Sequence, residues 1–352
     1  MSLLAILVKS CYNYCMKSPR TTIKKHQKQL IFGLFLLLCG LGIWWYLYPR
    51  GDTLVISSSD SSTEKKIYRL IDGIEAQTTT STLVGVIIDN SPESWPQFGI
   101  TDAQMVYEVP VEGGRTRLVA VFDLASLNDA TKIGPVRSVR DVFLDISREL
   151  YFTPVHVGGS PGALARVDAG EIKTLNQFFR DPYFYRTKEG GRYAPHNVLT
   201  TGALLKKAAE KYNFKIADIS SWQFEDGKSK GGATMTPKID FGEIKVTWKY
   251  DPATNNYTRF VNGKEFKDAS GASVTAKNMI DMKTNMRIID EKLRRDVRMM
   301  GRGKAVVYKN GETIVATWKR SILGERTTFY DENAKELSFV RGITWVEVTQ
   351  KD

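Results

Sequence analysis

The sequence predicts two folded domains outside a membrane: an N-terminal α+β or α/β domain and a mainly antiparallel β C-terminal domain, preceded by one transmembrane helix. An uncharged apolar run stands near the N-terminus, β-rich runs mix with helical patterns in the first half, and alternating runs joined by Asn-Gly turns fill the second half. The length of 352 residues suits two domains, and 42% hydrophobic and 25% charged residues are typical of globular proteins.

The net charge of +11 does not indicate a nucleic-acid partner. Residues 1–29 carry six lysines and arginines and no acidic residue, so this basic tail accounts for six of the eleven charges. The remaining excess is spread over the rest of the chain, without the basic stripe that a duplex binder needs. We expect a cytoplasmic tail and no nucleic-acid binding.

The predicted transmembrane helix covers residues 30–48, LIFGLFLLLCGLGIWWYLY. Its 19 uncharged residues span about 28 Å as a helix, close to the thickness of a bilayer's hydrocarbon core. Aromatic residues crowd its far end, where amphipathic rings sit among lipid head groups. Because five cations precede it between Lys17 and Lys28, the positive-inside rule places the N-terminus in the cytoplasm and residues 49–352 outside. The lipid bilayer is thus a predicted partner through this segment.

Processing of the N-terminal segment has two alternatives. A cleaved signal peptide is disfavoured, because the apolar run exceeds the usual signal-peptide core and no small-x-small cleavage site follows it. Cys39 followed by Gly40 hints at a lipoprotein signal, but Leu38 stands where that cleavage needs a small residue. We expect an uncleaved signal-anchor. Lipidation of Cys39, and a translation start at Met16 instead of Met1, stay open.

The exported part begins with a polar stalk, residues 49–80, which is poor in large apolar groups. The N-terminal domain, residues 81–218, contains β-rich runs bounded by turn residues and two helical patterns. The predicted strands are 83–89, 105–109, 116–122 and 154–158, and the predicted helices are 139–150 and 202–212. Residues 219–236 are rich in Gly, Ser and Lys and read as a linker. Since the exported part has no cysteine, packing must stabilise it without disulfides.

The C-terminal domain, residues 237–352, shows strand patterns and hairpin signals. One strand alternates apolar and polar residues, which indicates one buried face. Its apolar residues are Ile244, Val246, Trp248 and Tyr250. Asn262-Gly263 and Asn310-Gly311 favour tight hairpin turns, the second one inside a two-strand ribbon over 304–320. A last strand is predicted at 342–349.

Chemically active side chains gather in Gly- and Pro-rich corners of the N-terminal domain. Such strand ends carry function on a rigid scaffold, and the only two histidines of the exported part lie in them. We expect these acids and histidines to line one pocket. The candidate ligand-binding residues are Asp89, Asn90, Glu112, Arg117, Arg137, Arg140, His156, Ser160, His196 and Asn197.

Ser160 lies in Gly158-Gly159-Ser160-Pro161-Gly162, which satisfies the G-x-S-x-G pattern of serine hydrolases. In those enzymes the backbone N–H after the serine builds the oxyanion hole, but here Pro161 has no N–H. Ser160 is better explained as the N-cap of a helix with proline at its first position.

The other candidates also have two interpretations. Asp89 and Glu112 could form an acid/base pair, but we favour Asp89 as the cap of a strand-end turn and Glu112 as the ion-pair partner of Arg115 or Arg117. The arginines suit bidentate recognition of carboxylate or phosphate, although solvated helix faces explain Arg140 equally well. No spacing among the acids and histidines matches a zinc motif, and we expect no metal and no cofactor.

Several long runs carry a family resemblance. In the first half they are VGVIIDNSPESWPQFGITDAQMVYEVPVEGGRTRLVAVF, KIGPVRSVRDVFLDI, HVGGSP and APHN, and in the second half WKYDPATNNYTRFVNGKEFKDASG, TAKNMI, GRGKAVVYKNGETIVATWKR and GITWVEV. Over about residues 83–349 the chain resembles the YerB-like family of bacterial lipoproteins. The resemblance implies a bacterial, surface-exposed, two-domain protein and transfers no catalytic residue. Leu38 departs from the lipoprotein pattern.

The function that follows is a single-pass protein of the cell membrane that presents a binding or assembly module on the outer side, with an envelope polymer or a protein as partner. The alternative is an enzyme that acts on a cell-wall or anionic polymer through Asp89, Glu112 and the two histidines. Catalysis requires that these side chains converge in one concave pocket, whereas a scaffold does not.

Overall fold

The computed structural model describes residues 66–232 and 236–351. The predicted basic tail, the predicted transmembrane helix and Cys39 lie outside the described residues, as does most of the predicted stalk. Within the part of the chain that is described, no helix is long and apolar enough to cross a membrane.

The first half of the described chain contains eleven strands and three α-helices. In chain order these are β1 (Ile67–Tyr68), β2 (Glu75–Ala76), β3 (Leu83–Asp89), β4 (Met105–Pro110), β5 (Thr116–Asp123), β6 (Lys132–Ile133), α1 (Asp141–Leu150), β7 (Thr153–His156), α2 (Pro161–Asp168), β8 (Leu175–Asn176), β9 (Tyr185–Arg186), β10 (Val198–Thr201), α3 (Gly202–Tyr212) and β11 (Phe224–Glu225). The four strands and two helices predicted for this half are confirmed to within two residues at each end.

The second half of the described chain is built of strands. They are β12 (Lys238–Asp240), β13 (Lys245–Asp251), β14 (Asn256–Val261), β15 (Lys264–Glu265), β16 (Thr275–Ala276), β17 (Asn278–Thr284), β18 (Met286–Ile288), β19 (Arg295–Val297), β20 (Gly301–Lys309), β21 (Glu312–Arg320), β22 (Thr328–Tyr330), β23 (Phe339–Val340) and β24 (Thr344–Gln350). With three α-helices among the described residues, the protein is mostly β.

Tight turns join the antiparallel strands of the second half as predicted. β20 and β21 pair in the register that sets Lys309 opposite Glu312, across the Asn310-Gly311 turn. Both turn residues have positive φ, 54° and 81°, which a two-residue hairpin of this kind requires and which Asn and Gly adopt at low cost. Asn262-Gly263 connects β14 to β15 in the same way.

One ten-stranded sheet runs through both halves, in the order β22-β21-β20-β17-β24-β4-β5-β3-β7-β8. The last strand of the chain, β24, lies between β17 and β4 and is parallel to both. The two halves therefore share a sheet, a feature that the sequence did not predict. The pairing of β24 with β4 joins residues about two hundred positions apart, and no local pattern specifies such a long-range contact.

Packed layers cover both faces of this sheet. Val106 and Tyr107 are successive residues of β4 and point to opposite faces, so each joins a different hydrophobic cluster. α1 packs on the Tyr107 face, whereas α3 and the sheet formed by β12–β16 cover the Val106 face. Every residue of β3 and β5 is buried, which explains their near-continuous apolar sequences.

The fold begins earlier, and the connection between the halves is more ordered, than the sequence suggested. β1 and β2 pair within the predicted stalk, and Ile71 between them is buried in the core. In the predicted linker, β11 pairs with β23, and Trp222 is buried against Phe329 and Phe339. In both places the few apolar residues stand among polar ones, so the sequence pattern did not predict these strands.

Two fully buried ion pairs connect the halves, one on each face of the sheet. On one face Arg259 of β14 donates to Glu108 of β4, and the neighbouring Glu347 of β24 accepts a hydrogen bond from Trp248 Nε1 at 2.9 Å. We call Glu108, Arg259 and Glu347 the Glu108 cluster. Burial, and then the charge of Glu108, raise the pKa of Glu347 well above its usual value.

On the other face Arg320 of β21 lies 3.2 Å from Glu149 of α1, and both side chains are fully buried. Glu149 also accepts hydrogen bonds from the hydroxyl of Tyr107, at 3.2 Å, and from the backbone N–H of Thr327, at 3.0 Å. We call Glu149, Arg320 and Tyr107 the Glu149 cluster. It ties α1 to the sheet and to the C-terminal half.

Candidate functional site

A pocket of about 310 Å³ opens where the end of β3 meets the connection between β4 and β5. The segment before α1 and the loop before β10 complete its walls. The lining residues are Asp89, Ser91, Glu93, Val111, Glu112, Gly113, Arg115, Thr116, Arg117, Arg137 and His196.

Asp89, the last residue of β3, organises one side of the pocket. Its Oδ2 lies 2.6 Å from His196 Nδ1 and 3.1 Å from Arg137 Nε. Its Oδ1 accepts a hydrogen bond from the Ser91 N–H at 3.1 Å, which confirms the predicted role of Asp89 as the cap of a strand-end turn. One carboxylate thus holds the turn, the imidazole ring and an arginine.

The His196 ring is oriented through one nitrogen. Ser91 Oγ lies 3.2 Å from Nδ1, the same atom that contacts Asp89. With the proton on Nδ1 donated to Asp89, Nε2 becomes the acceptor nitrogen of the neutral ring. Among the described residues no protein group hydrogen-bonds Nε2, and this atom is left for a ligand or a proton.

Glu112 organises the opposite side. Its Oε2 accepts a hydrogen bond from Arg140 Nε at 3.0 Å, and its Oε1 lies 3.1 Å from Arg117 Nη2. The predicted pairing of Glu112 with Arg117 is confirmed. Burial opposes ionisation of Glu112, but the hydrogen bond from Arg140 and the charges of Arg117 and Arg140 outweigh it and lower the pKa to about 2. Glu112 is therefore ionised at neutral pH and unsuited to act as a general acid.

Four arginines and three carboxylates surround the pocket. Arg115 pairs with Glu93 at 2.9 Å, and the buried Arg117 donates to the carbonyl of Ser138 at 2.9 Å. Burial, and then the charge of Arg140, lower the pKa of Arg117 to about 10, which leaves it charged at neutral pH. Three of these arginines, Arg115, Arg117 and Arg137, line the pocket and are matched in charge by Asp89, Glu93 and Glu112. The fourth, Arg140, does not line the pocket but pairs with Glu112 and adds one positive charge beside it.

The structure does not bring His156 into the pocket. Its side chain is buried at the end of β7, where Nδ1 contacts the carbonyl of Gly158 at 2.8 Å and Nε2 contacts Thr174 Oγ1 at 2.9 Å. Burial lowers its pKa to about 4, and the bond to Gly158 opposes that shift only in part. The expectation that both histidines line one pocket is wrong for His156, because β7 is buried along its whole length and the ring contacts the Gly158 carbonyl and Thr174 in the protein interior.

Ser160 is a helix cap, as predicted. It precedes Pro161, the first residue of α2, and its Oγ accepts a hydrogen bond from the Ala163 N–H at 3.3 Å. The hydroxyl also donates to Asp141 Oδ2 at 3.1 Å. Ser160 does not line the pocket, and its hydrogen bonds are those of a structural residue.

The two predicted amide residues serve the scaffold as well. Asn90 is fully buried and donates to Glu108 Oε1 at 2.9 Å and to Thr116 Oγ1 at 2.8 Å. It therefore links the floor of the pocket to the Glu108 cluster. Asn197 accepts a hydrogen bond from Arg186 Nη1 at 2.7 Å and points away from the pocket residues.

Four polar lining residues were absent from the predicted set: Ser91, Glu93, Arg115 and Thr116. All four stand close to residues that the sequence did single out, at the same strand end or beside the same glycine-rich turn. Extending the strand-end criterion by a few residues on each side would have found them. Among the described residues no group of three or more His, Cys, Asp or Glu side chains is placed to hold a metal ion.

With this fold and pocket described, comparison with known proteins defines the class. Residues 72–215 match the N-terminal domain, and residues 238–346 the C-terminal domain, of a protein family described as "Protein of unknown function (DUF3048)". The class is thus a two-domain, mostly β protein. The chain belongs to the DUF3048 family, and the predicted family resemblance is confirmed.

A relative and a solved structure agree with this assignment. The chain is 30% identical over 296 residues to "Putative lipoprotein YerB" of Bacillus subtilis (strain 168), a match that covers 81% of this chain and 87% of the relative. The crystal structure of YerB protein from Bacillus subtilis matches with a TM-score of 0.72 at 29% identity, and covers 80% of this chain and 96% of that chain.

Proposed function

We propose that the protein is a membrane-anchored binding module on the outer side of the bacterial plasma membrane, and that its pocket binds an anionic group. The name of the Bacillus subtilis relative supports membrane attachment. The apolar run at 30–48 and its basic flank support a single-pass anchor with a cytoplasmic N-terminus. Both features direct residues 49–352 to the envelope, where anionic polymers and protein partners are the available ligands.

The state of Arg137 carries the proposal for the pocket. Its Nε is buried and, although it lies 3.1 Å from Asp89, makes no hydrogen bond. Its Nη1 makes one long contact, 3.5 Å, with the carbonyl of Pro195. Arg137 therefore lines the pocket with Nη donors that protein groups do not saturate, and Arg140, paired with Glu112 beside the pocket, adds a further positive charge. A carboxylate or phosphate would balance the charge and use those donors bidentately.

Titration of the detergent-solubilised full chain with inorganic phosphate, followed by calorimetry, tests anion binding. We expect saturable binding that weakens about tenfold in Arg137→Gln, the loss typical of one charged hydrogen-bonding partner. Arg287→Gln is the matched control, because Arg287 is an exposed arginine that pairs with Asp296 and does not line the pocket. Absence of phosphate binding, or equal affinities for both variants and the parent, would overturn the proposal.

The contact between Asp89 and His196 favours a second candidate function, an enzyme acting on an envelope polymer. At 2.6 Å the carboxylate fixes the ring and leaves Nε2 as a base. Incubation with isolated cell walls should then release new end groups, and His196→Ala and Asp89→Asn should abolish the release while polymer binding persists. Failure of the parent protein to release any end group would exclude this candidate and leave the binding module.

Two measurements test the location. Protease added to intact spheroplasts should digest the folded part, and full protection would contradict the proposed topology. The mass of the chain extracted from membranes distinguishes the two kinds of anchor. We expect the mass of the unmodified chain with its helix; a mature chain that starts at a lipid-modified Cys39 would show a lipid anchor instead.

A further inference from the structure

Three aromatic side chains near the pocket are exposed to an unusual degree. Phe178, Phe179 and Tyr193 are 66%, 72% and 65% accessible to solvent. Large aromatic rings bury much area when they contact a partner, and an exposed group of them commonly marks a binding surface. The hydrophobic clusters of the fold use none of the three.

The protein holds these rings in place. The backbone of Phe178 donates to Asn176 Oδ1 at 3.3 Å, and that of Phe179 to the Asn176 carbonyl at 3.0 Å. The Phe178 ring lies over Gly158, so close that a Cβ on Gly158 would stand 2.8 Å from a ring carbon. The Tyr193 ring packs edge-on against His196, with centroids 6.2 Å apart. The rings of Phe178 and Tyr193 are thus exposed to solvent on one side and contact protein atoms on the other.

The rings flank the segment that carries the pocket arginine Arg137. Arg137 accepts a backbone hydrogen bond from Val157 at 3.0 Å, and Val139 donates to Gly158 at 3.1 Å, directly under Phe178. On the other side, Arg137 Nη1 reaches the carbonyl of Pro195, between Tyr193 and His196. The Phe178 ring therefore packs on one segment that bonds to residues 137–140, and Tyr193 belongs to the other.

We propose that these rings form a sugar-binding surface beside the pocket, and that the ligand is a carboxylate-bearing glycan. This inference rests on the proposed function and names its ligand class. The C–H faces of pyranose rings pack on exposed aromatic rings, while a carboxylate on the same glycan reaches Arg137. Polar groups adjoin the rings: Gln177 and Arg180 flank the two phenylalanines in the sequence, and the His196 ring lies against Tyr193. This setting suits sugars with their hydroxyl groups better than it suits a continuous lipid surface.

Co-sedimentation of the detergent-solubilised full chain with insoluble glycans tests the inference. The first probe is peptidoglycan sacculi partly digested with an amidase, so that many lactyl carboxylates are free while the remaining peptide cross-links keep the material insoluble. The second is chitin, which has similar sugars without these carboxylates. We expect binding to the sacculi and weaker binding to chitin. Phe178→Ala/Phe179→Ala should weaken sacculus binding about tenfold and leave phosphate binding unchanged.

Val315→Ala/Ile322→Ala is the matched control, because Val315 and Ile322 are equally exposed, at 69% and 66%, and lie on β21 and in the turn after it. This control should bind sacculi like the parent. Phe179→Ala alone, at the most exposed ring, guards against a folding defect caused by the contact of Phe178 with Gly158. Unchanged sacculus binding in both aromatic variants would overturn the sugar-binding surface. So would a parent protein that binds phosphate but no glycan, whereas loss of phosphate binding itself would defeat the proposed function.

Discussion

Charged side chains occur in two settings in this protein, and the contrast between them separates stability from function. In the Glu108 and Glu149 clusters the ion-paired side chains have no access to solvent and join the two halves of the chain. In the pocket the side chains of Asp89, Glu112 and Glu93 are 7%, 29% and 40% exposed. The buried pairs are closed to solvent, whereas the pocket pairs border an open volume.

The two settings differ in what it costs to remove one partner. A buried charge that loses its counterion stays desolvated and unpaired, which typically costs about 3–5 kcal/mol. A charge at the wall of a pocket regains water, so that the same change costs about 1 kcal/mol or less. Substitutions in the clusters should therefore affect folding, and substitutions in the pocket should affect binding.

The largest effect is expected for Arg320→Gln. It leaves the Glu149 carboxylate buried without its cation, and the free energy of unfolding should fall by about 3–5 kcal/mol. Guanidinium denaturation of the purified protein measures this change. Arg287→Gln, which removes an exposed pair, should leave the unfolding curve almost unchanged. Equal stability of the two variants would contradict the role assigned to the Glu149 cluster.

A smaller loss of stability is expected in acid through His156. Its pKa of about 4 in the folded protein lies below the ordinary value of 6.5, so its contribution is complete above pH 6.5 and is lost as the pH falls towards 4. The shift corresponds to about 3 kcal/mol at most. His156→Asn keeps a donor for Gly158 and removes the titration, so its free energy of unfolding should fall less over this range. A parallel fall in both proteins would show that other groups are responsible.

The sequence predicted those parts of the fold that depend on local patterns. Continuous apolar runs gave β3 and β5, alternation gave β13, and Asn-Gly gave the turn of the β20–β21 hairpin, because each signal lies within ten residues or so. The insertion of β24 between β17 and β4 was missed, since it joins distant segments that carry no mutual signal.

The same distinction holds for the site. Asp89, Glu112, Arg117, Arg137 and His196 line the pocket because strand ends and the loops beside them gather at one edge of the sheet. The prediction for His156 was wrong because β7 is buried along its whole length, and the strand's own sequence does not show which segments cover it. The sequence did not indicate that Glu108 forms a buried ion pair, because its partner Arg259 is 151 positions away.

Ser160→Ala should cost about 1 kcal/mol of stability, because it removes the cap of α2. Phosphate affinity should be unchanged, since Ser160 lies outside the pocket. Thermal unfolding and calorimetry of the same preparation measure both quantities. A variant with normal stability and no binding would show that the hydroxyl serves a ligand.

A moderate effect on stability is expected for Glu112→Gln in the pocket. The substitution leaves the buried Arg117 without this counterion, whereas Arg140 and Glu112 are partly open to solvent, so the free energy of unfolding should fall by about 1–3 kcal/mol. Phosphate affinity should rise about threefold to tenfold, because the arginines lose a competing anion. Weaker phosphate binding in this variant would mean that Glu112 contacts the ligand or shapes the pocket.

Our central claim is that the buried charges stabilise the fold and the pocket charges bind the ligand. The most direct test replaces one arginine from each setting and measures both stability and phosphate affinity. Arg320→Gln and Arg137→Gln are compared with the parent for the free energy of unfolding and, under conditions where each is folded, for phosphate affinity. We expect Arg320→Gln to lose stability and keep its affinity, and Arg137→Gln to keep stability within about 1 kcal/mol and lose affinity about tenfold. Equal losses of stability in the two variants, with no difference in affinity, would contradict the account.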